Sequence, residues 1–302
     1  MSIFIVGASG NIGQRVVRAL IARGVSVTAL VRDAEGELPP DSALAHPEVR
    51  LVRGDLRDTA PLRAAARGSE SMFVLTPHNP EQIQLQNAAA DLAADVGAHV
   101  VKVSSWGPAV HEDSPVPGAR RHWITQQHII SRGLPHTFLC PNYFMQVLIN
   151  RYAGEVRRSG VLVSPAGLRG ISMVDAQDVA DVAACVLTEP EKHDGRTYTL
   201  SGPAAVTYPE IAAQLSALLG REVRYHDQTE EEFATWMASE NRLDWETDHA
   251  AAIFRLYREG IGEQVTDHVR SVTGHAPRTL TDFLDNNLHH FLTPDPKEVP
   301  AS

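Results

Sequence analysis

The segment IFIVGASGNIGQRVVRAL, residues 3–20, decides the fold. Four apolar residues read as a buried strand and run straight into Gly7, Gly10 and Gly13, after which apolar residues recur at helical spacing. Each glycine has a physical task. Gly7 permits the tight turn after the strand, Gly10 lets backbone amides approach a pyrophosphate, and Gly13 lets the helix pack closely on the sheet. The helix N-terminus then presents unpaired N–H groups and a partial positive charge to the phosphates. A bare G-x-x-G-x-x-G is weak evidence. Its position between a strand and a helix, inside a βαβ unit, makes it a dinucleotide-binding turn.

Working outward, short β-branched runs alternate with helical patterns. Strands are predicted at 25–31, 48–56, 71–77, 99–105 and 136–141, with helices at 13–24, 60–68, 80–97 and 122–133. Such alternation implies right-handed βαβ units and a parallel sheet, and the glycine turn selects the open, doubly wound sheet over the barrel. Beyond residue 150 the pattern loosens. A helix at 174–190 has Asp175 near its start, a further strand at 196–202 closes the sheet, and 207–220 is a helix opened by a Thr207/Glu210 capping box. From 229 onward the chain reads as mostly helical, with the acidic run of 227–236 as the first turn of a helix and 293–302 as a disordered tail. The expected fold is α/β: a Rossmann-type doubly wound parallel sheet over 1–150 with 174–202, and a smaller, mainly helical substrate domain from 151–173 and 203–302.

Composition narrows the function. At 302 residues the chain can bury a large core, and its net charge of −10 with scattered basic residues argues against nucleic acid as a partner. No apolar run approaches the ~18 residues of a membrane span. No leader precedes the first strand, and Cys140 and Cys185 are too few for a disulfide framework, so the expected compartment is the cytoplasm. The histidines show no metal-ligand spacing, so no metal is expected.

The end of the second predicted strand selects the nucleotide. An NAD site wants a carboxylate there for the ribose hydroxyls, whereas this chain places Arg32 first and Asp33 one residue later. A guanidinium there pairs with a 2′-phosphate, so the expected cofactor is NADPH.

Taken together, GASGNIG (7–13), VRGDL (52–56), VSSWG (103–107), HWITQQHIISRGLPHTFLCPNYFMQ (122–146), SMVDAQDVADVAACVL (172–187) and TGHAPRTLTDFL (273–284) resemble the NmrA-like branch of the atypical short-chain dehydrogenase/reductases. That branch holds NAD(P)H:quinone reductases, triphenylmethane-dye reductases and catalytically silent NADP-binding regulators. The resemblance implies that Gly7, Ser9, Gly10, Asn11 and Ile12 line the pyrophosphate and that Arg32 meets the 2′-phosphate. It implies Asp55 and Leu56 beside the adenine, Leu75 and Thr76 under the ribose, Ser104 at the nicotinamide side, and Pro141, Asn142, Tyr143 and Phe144 walling the nicotinamide. One departure is visible: the usual Leu-Arg-Pro reads Leu139-Cys140-Pro141 here.

Typical members of the superfamily donate a proton from a tyrosine whose pKa is lowered by a lysine four residues on. Carbonyl reduction needs such a source aimed at the developing alkoxide. Here Tyr143, Tyr152 and Tyr198 are followed at that spacing by Val147, Val156 and Gly202. At the expected location stands His122, with Gln126 where related reductases carry a glutamate. Two readings follow. The first is an NADPH-dependent oxidoreductase that transfers hydride to a quinone or an aromatic, polyketide-like ketone, with His122 and Tyr143 as candidates for steering the acceptor. The second is an NADP(H)-sensing regulator without turnover. The enzyme reading expects a small aromatic or quinone substrate, with the chain as monomer or homodimer. Residues suited to a flat aromatic ligand are His78, Trp106, Trp123, Met145, Met173, Phe254 and Tyr257.

Overall fold

The computed structural model describes residues 1–32, 39 and 41–292, so Asp33 and the tail 293–302 lie outside the described residues. In chain order, β1 (Ser2–Val6) leads through the glycine turn into α1 (Asn11–Ile21), followed by β2 (Ser26–Val31), β3 (Val49–Arg53), α2 (Leu62–Ala66), β4 (Ser71–Val74) and α3 (Gln82–Val96). Then come β5 (His99–Val103), α4 (Pro117–Ser131), β6 (His136–Pro141) and α5 (Ala153–Ser159), the last entered through one π-helical turn at Leu148–Tyr152. The chain continues with β7 (Val161–Ser164), α6 (Ala176–Thr188), α7 (Pro190–His193), β8 (Arg196–Leu200), α8 (Tyr208–Leu219) and β9 (Arg224–Asp227). It ends in α9 (Glu230–Ser239), α10 (Asp244–Arg258), α11 (His268–Thr273), α12 (Leu280–Asn286) and α13 (His289–Leu292).

Seven strands form one parallel sheet in the order β3-β2-β1-β4-β5-β6-β8. The strand order reverses between β1 and β4, and ligands of open α/β sheets bind outside the strand ends at such a point. Alternate residues of each strand feed opposite cores. Ile3, Ile5, Phe73, Val101 and Val103 pack with α1 and α6, whereas Phe4, Val6, Met72, Val74 and Val100 pack with α3. Burial on both faces explains why these strands read as continuous apolar runs.

A separate core of Met145, Leu148, Tyr152, Tyr208, Phe233, Phe254, Tyr257, Phe283 and Phe291 joins the segments after β6 and after β8. It carries a two-stranded parallel pairing of β7 with β9 that the sequence reading missed, because each strand is four residues long. The Thr207/Glu210 capping box forms as expected, and a second one, Thr229/Glu232, turns the acidic run into the start of α9. The C-terminal segment returns to the first core through Arg278. Its backbone N–H and guanidinium both bond Asp178, which is fully buried on α6, and the guanidinium also meets Asp181 at 3.0 Å.

The helix expected over 122–133 is longer. α4 begins at Pro117, whose fixed φ suits the first turn, so residues 117–121, ahead of the expected start, are helical. That extra turn brings α4 beneath α10 and bears on the site.

Candidate active site

The glycine cradle is built as the spacing requires. Gly7 adopts φ +83°, and a Cβ there would lie 2.1 Å from the carbonyl oxygen of Leu75. A Cβ on Gly13 would lie 2.0 Å from the carbonyl oxygen of Gly7, and the Gly10 N–H donates to that same oxygen at 3.1 Å. Gly10 caps α1 without any side-chain bond to the helix, so its first N–H groups face the turn. Beside them lies a cavity of about 330 Å³, lined by Gly7, Ser9, Gly10, Arg32, Asp55, Leu56, Leu75 and Thr76 among others. These eight were all predicted. Asn11 and Ile12 sit at the start of α1, the first exposed and the second packed against the core.

Two arginines reach this cavity. Arg57 is held by Asp55 at 2.8 Å and Glu81 at 2.6 Å, whereas Arg32 is exposed and makes no ion pair among the described residues. Arg57 keeps the Asp55 carboxyl below the usual range, mainly through the backbone N–H it donates. A glycine cradle that a Cβ would fill, a helix start without a side-chain cap and an unpaired guanidinium are what a dinucleotide with a 2′-phosphate requires.

Next to it, a polar network runs between β5, α3 and α4. Lys102 on β5 is 0% exposed, and its Nζ lies 2.9 Å from Nδ1 of His122. The other ring nitrogen, Nε2, lies 3.0 Å from the Gln82 amide nitrogen. One turn along α4, Gln126 donates to Ser104 Oγ at 3.0 Å, and Gln86 joins Thr76 and Thr125 at 3.1 Å each. Burial pushes the Lys102 amine down to about 7. Burial, and then the neighbouring Lys102, hold His122 well below its usual value, so the imidazole is neutral. Cys140 lies buried against Lys102, and burial pushes its thiol up to about 11.

This network meets the second core at a stack of imidazoles. His78, after β4, lies 3.9 Å from His249 of α10 and 5.4 Å from Trp245. The Gly118 N–H donates to His249 Nδ1 at 3.3 Å. Around the stack, four buried polar atoms have no partner among the described residues: His78 Nε2, Asn79 Oδ1, Gln82 Oε1 and Arg121 Nη1.

The predicted residues therefore divide. His122 and His78 gather at this wall, whereas Tyr143 belongs to the other core, edge-on to Phe254 at 5.9 Å and Tyr257 at 5.6 Å. Burial, with Tyr152 beside it, raises the Tyr143 phenol well above its usual value, which makes it a poor acid. Asn142 is committed within the protein: it donates to Ser172 and Gly262 and accepts from Tyr257. Pro141 ends β6, and Phe144 packs partly buried on the first core. Met145, Met173, Phe254 and Tyr257 are core side chains, and Trp106 is 3% exposed with its indole bonded to Ile261. Trp123 is partly buried on α4. A larger cavity of about 860 Å³, lined by Arg151, Phe233, Trp236 and His290 among others, contains none of the predicted residues.

Lys102 was missed by sequence reasoning. The signal was present: it is one of three lysines, against 27 basic residues in all, and it interrupts an otherwise apolar strand. Its partner is twenty residues away, so no local motif joins the two.

The family model described as the NmrA-like family matches residues 1–284. An NAD(P)H azoreductase of Xenophilus azovorans is 36% identical over 93% of this chain and 96% of its own. A (4-alkanoyl-5-oxo-2,5-dihydrofuran-3-yl)methyl phosphate reductase of Streptomyces griseus is 35% identical over 74% of this chain and 76% of its own. Among solved structures, triphenylmethane reductase of Citrobacter sp. complexed with NADP(H) superposes with a TM-score of 0.79 at 25% identity, covering 93% of this chain and 98% of that one.

Proposed function

The chain belongs to the NmrA-like family, and on that premise we propose that it is an NADPH-dependent oxidoreductase whose acceptor is a conjugated aromatic compound: a quinone, an aromatic ketone or an azo compound. The observation that carries this reading is the glycine cradle opening on Arg32, with a lysine–histidine pair beside it where a tyrosine–lysine pair would be expected. When bound, NADPH supplies the hydride. Gly7, Ser9, Gly10 and the start of α1 hold its pyrophosphate, Arg32 its 2′-phosphate, and Asp55, Leu56, Leu75 and Thr76 the adenosine. Ser104, oriented by Gln126, with Pro141, Tyr143 and Phe144, bounds the nicotinamide end.

The acceptor lies between the unit formed by 1–150 with 174–202 and the unit formed by 151–173 with 203–302, against His78, His122 and Trp123. Acceptors of this class delocalise the charge they gain, so they need no tyrosine–lysine pair, and proton delivery from another side chain adds to positioning. Turnover is favoured over a sensing role because the related proteins named above are reductases. No described helix is long and apolar enough to cross a membrane. We place the protein in the cytoplasm, as a monomer or homodimer without a nucleic-acid partner, on its charge of −10 and its two unpaired cysteines.

The test is NADPH consumption by the purified protein against a panel of quinones, aromatic ketones, triarylmethane dyes and azo dyes. Acceptor-dependent turnover supports the reading. Tight NADPH binding with no turnover on any of them would move the balance to the sensor.

A further inference from the structure

Lys102 is the one described lysine that is fully buried, and no carboxylate forms an ion pair with it among the described residues. Taking an amine out of water is costly unless something compensates. A methionine has nearly the same length and would fill the same space without that penalty. Yet this chain, which uses arginine almost everywhere else, keeps a lysine here. Arginine never releases its proton, whereas a buried lysine can. Among the described residues the amine has one hydrogen-bond partner, the Nδ1 of His122.

The geometry fixes what that contact does. An ammonium can only donate, so Nδ1 accepts and the ring proton sits on Nε2. Nε2 faces the α3 wall, 3.0 Å from the Gln82 amide nitrogen; a half-turn of that amide sets Oε1, which has no other partner among the described residues, to accept the Nε2 proton. His78 Nε2, Asn79 Oδ1 and Arg121 Nη1 are also buried there without partners among the described residues. An acceptor oxygen or nitrogen entering there takes the place of the Gln82 amide and satisfies groups that the protein leaves open.

We propose that Lys102 is the positioning residue for proton delivery in the reduction: it fixes the His122 tautomer and recharges that ring through Nδ1 each time Nε2 gives its proton to the acceptor. The inference rests on the reductase reading. The acceptor takes a hydride from NADPH and a proton from His122 Nε2, and Nδ1 takes a proton from the Lys102 ammonium. After product leaves, water protonates Nε2 and Nδ1 returns its proton to the amine. Each turnover thus consumes one NADPH, one proton and one acceptor. The groups facing the pair are Cys140 from β6, Arg121 from α4, His78 after β4 and His249 from α10, with Glu246 acting on His78. No carboxylate among the described residues forms an ion pair with either member to lock its charge.

The sign of the pH effect follows. Burial depresses the folded-state value of Lys102 to about 7, far below that of the free side chain. Between those two values the unfolded chain binds a proton that the folded one does not, so this lysine makes stability rise with pH across that window. The relay needs the ammonium, so turnover falls as pH rises through the same group.

The experiment is Lys102→Met, with wild type and Lys102→Arg alongside. In cofactor-free protein, Lys102→Met is expected to melt at or above the wild-type temperature at pH 7 and to lose the rise of stability with alkaline pH. It should bind NADPH with unchanged affinity. With acceptor, its turnover should fall about a hundredfold and lose its decline with pH, and Lys102→Arg should not restore it. Turnover within twofold of wild type with the same pH profile would overturn the proposal, as would rescue by arginine. If Lys102→Met does not fold, His122→Phe carries the test: it must preserve NADPH affinity and abolish the pH-dependent limb, and a retained limb overturns the relay. Wild-type protein that reduces no acceptor at any pH refutes the reductase reading instead, which is a distinguishable failure.

Discussion

The proposed nucleotide cleft and the proposed acceptor wall lie side by side and are built on opposite principles. The cleft is made of backbone: Gly7, Gly10 and Gly13 matter for the side chains they lack, and all three fall within seven residues. The wall is made of side chains from β5, α3, α4, α10 and the loop after β4, brought together only by folding. A backbone device tolerates no added atom and depends little on its neighbours' identity. A side-chain network tolerates small displacement but depends on each partner's chemistry. Three substitutions separate the two.

The largest effect is expected in the cleft. In Gly13→Val the new Cβ would lie 2.0 Å from the carbonyl oxygen of Gly7 and 2.8 Å from its carbonyl carbon, both backbone atoms with no room to yield. α1 must lift from β1, and NADPH affinity should fall by more than about a hundredfold with a loss of several kcal/mol in stability. Calorimetric titration with NADPH and a thermal melt read the two. Normal binding by this variant would mean that the cradle is not the phosphate site.

The same contrast explains what could be read from the amino-acid order. The turn was legible because its close backbone approaches force glycines into fixed spacing between a strand and a helix. The inner strands of the large sheet were legible because burial on both faces makes them nearly continuous apolar runs. β7 and β9 were not, since four residues with one face in a mainly helical core carry no period. The first turn of α4 was hidden by Pro117 and Gly118, which punctuate loops in most contexts but here start a helix. The lysine–histidine pair was illegible for another reason. Lys102 and His122 meet across the space between a strand and a helix, whereas a tyrosine with a lysine four residues on is a local motif within one segment. The aromatic residues suggested for the acceptor turned out to be core side chains in most cases, because aromatic character alone does not distinguish a pocket wall from packing.

A smaller effect sharpens the cleft side of the comparison. Arg32 is the residue predicted to meet the 2′-phosphate, exposed and without an ion pair among the described residues. Arg32→Glu should weaken NADPH by about 10–100-fold through loss of charged hydrogen bonds to the 2′-phosphate. NADH, which lacks that group, should lose far less. Steady-state kcat/KM for both nucleotides gives the ratio. An equal loss for both would remove Arg32 from phosphate recognition and leave the cleft purely a backbone device.

The smallest effect is expected at the wall, and it is the most discriminating. A Cβ on Gly118 would lie 2.3 Å from Cε1 of His78 and 2.6 Å from Cε1 of His249. Unlike the contact at Gly13, both atoms are at the ends of side chains, so the rings can turn and α10 can ease away from α4. Alanine also favours the helix over glycine by roughly 0.5–1 kcal/mol, which offsets part of the strain. Gly118→Ala should therefore melt within a few degrees of wild type while the imidazole stack that closes the wall loosens. The expected readout is a rise in KM for the acceptor of about 3–10-fold, in line with a displacement worth about 1 kcal/mol, with no change in NADPH affinity. A parallel loss of NADPH affinity would show that the stack also holds the nucleotide, and the division between a backbone-built cleft and a side-chain-built wall would fail at that point.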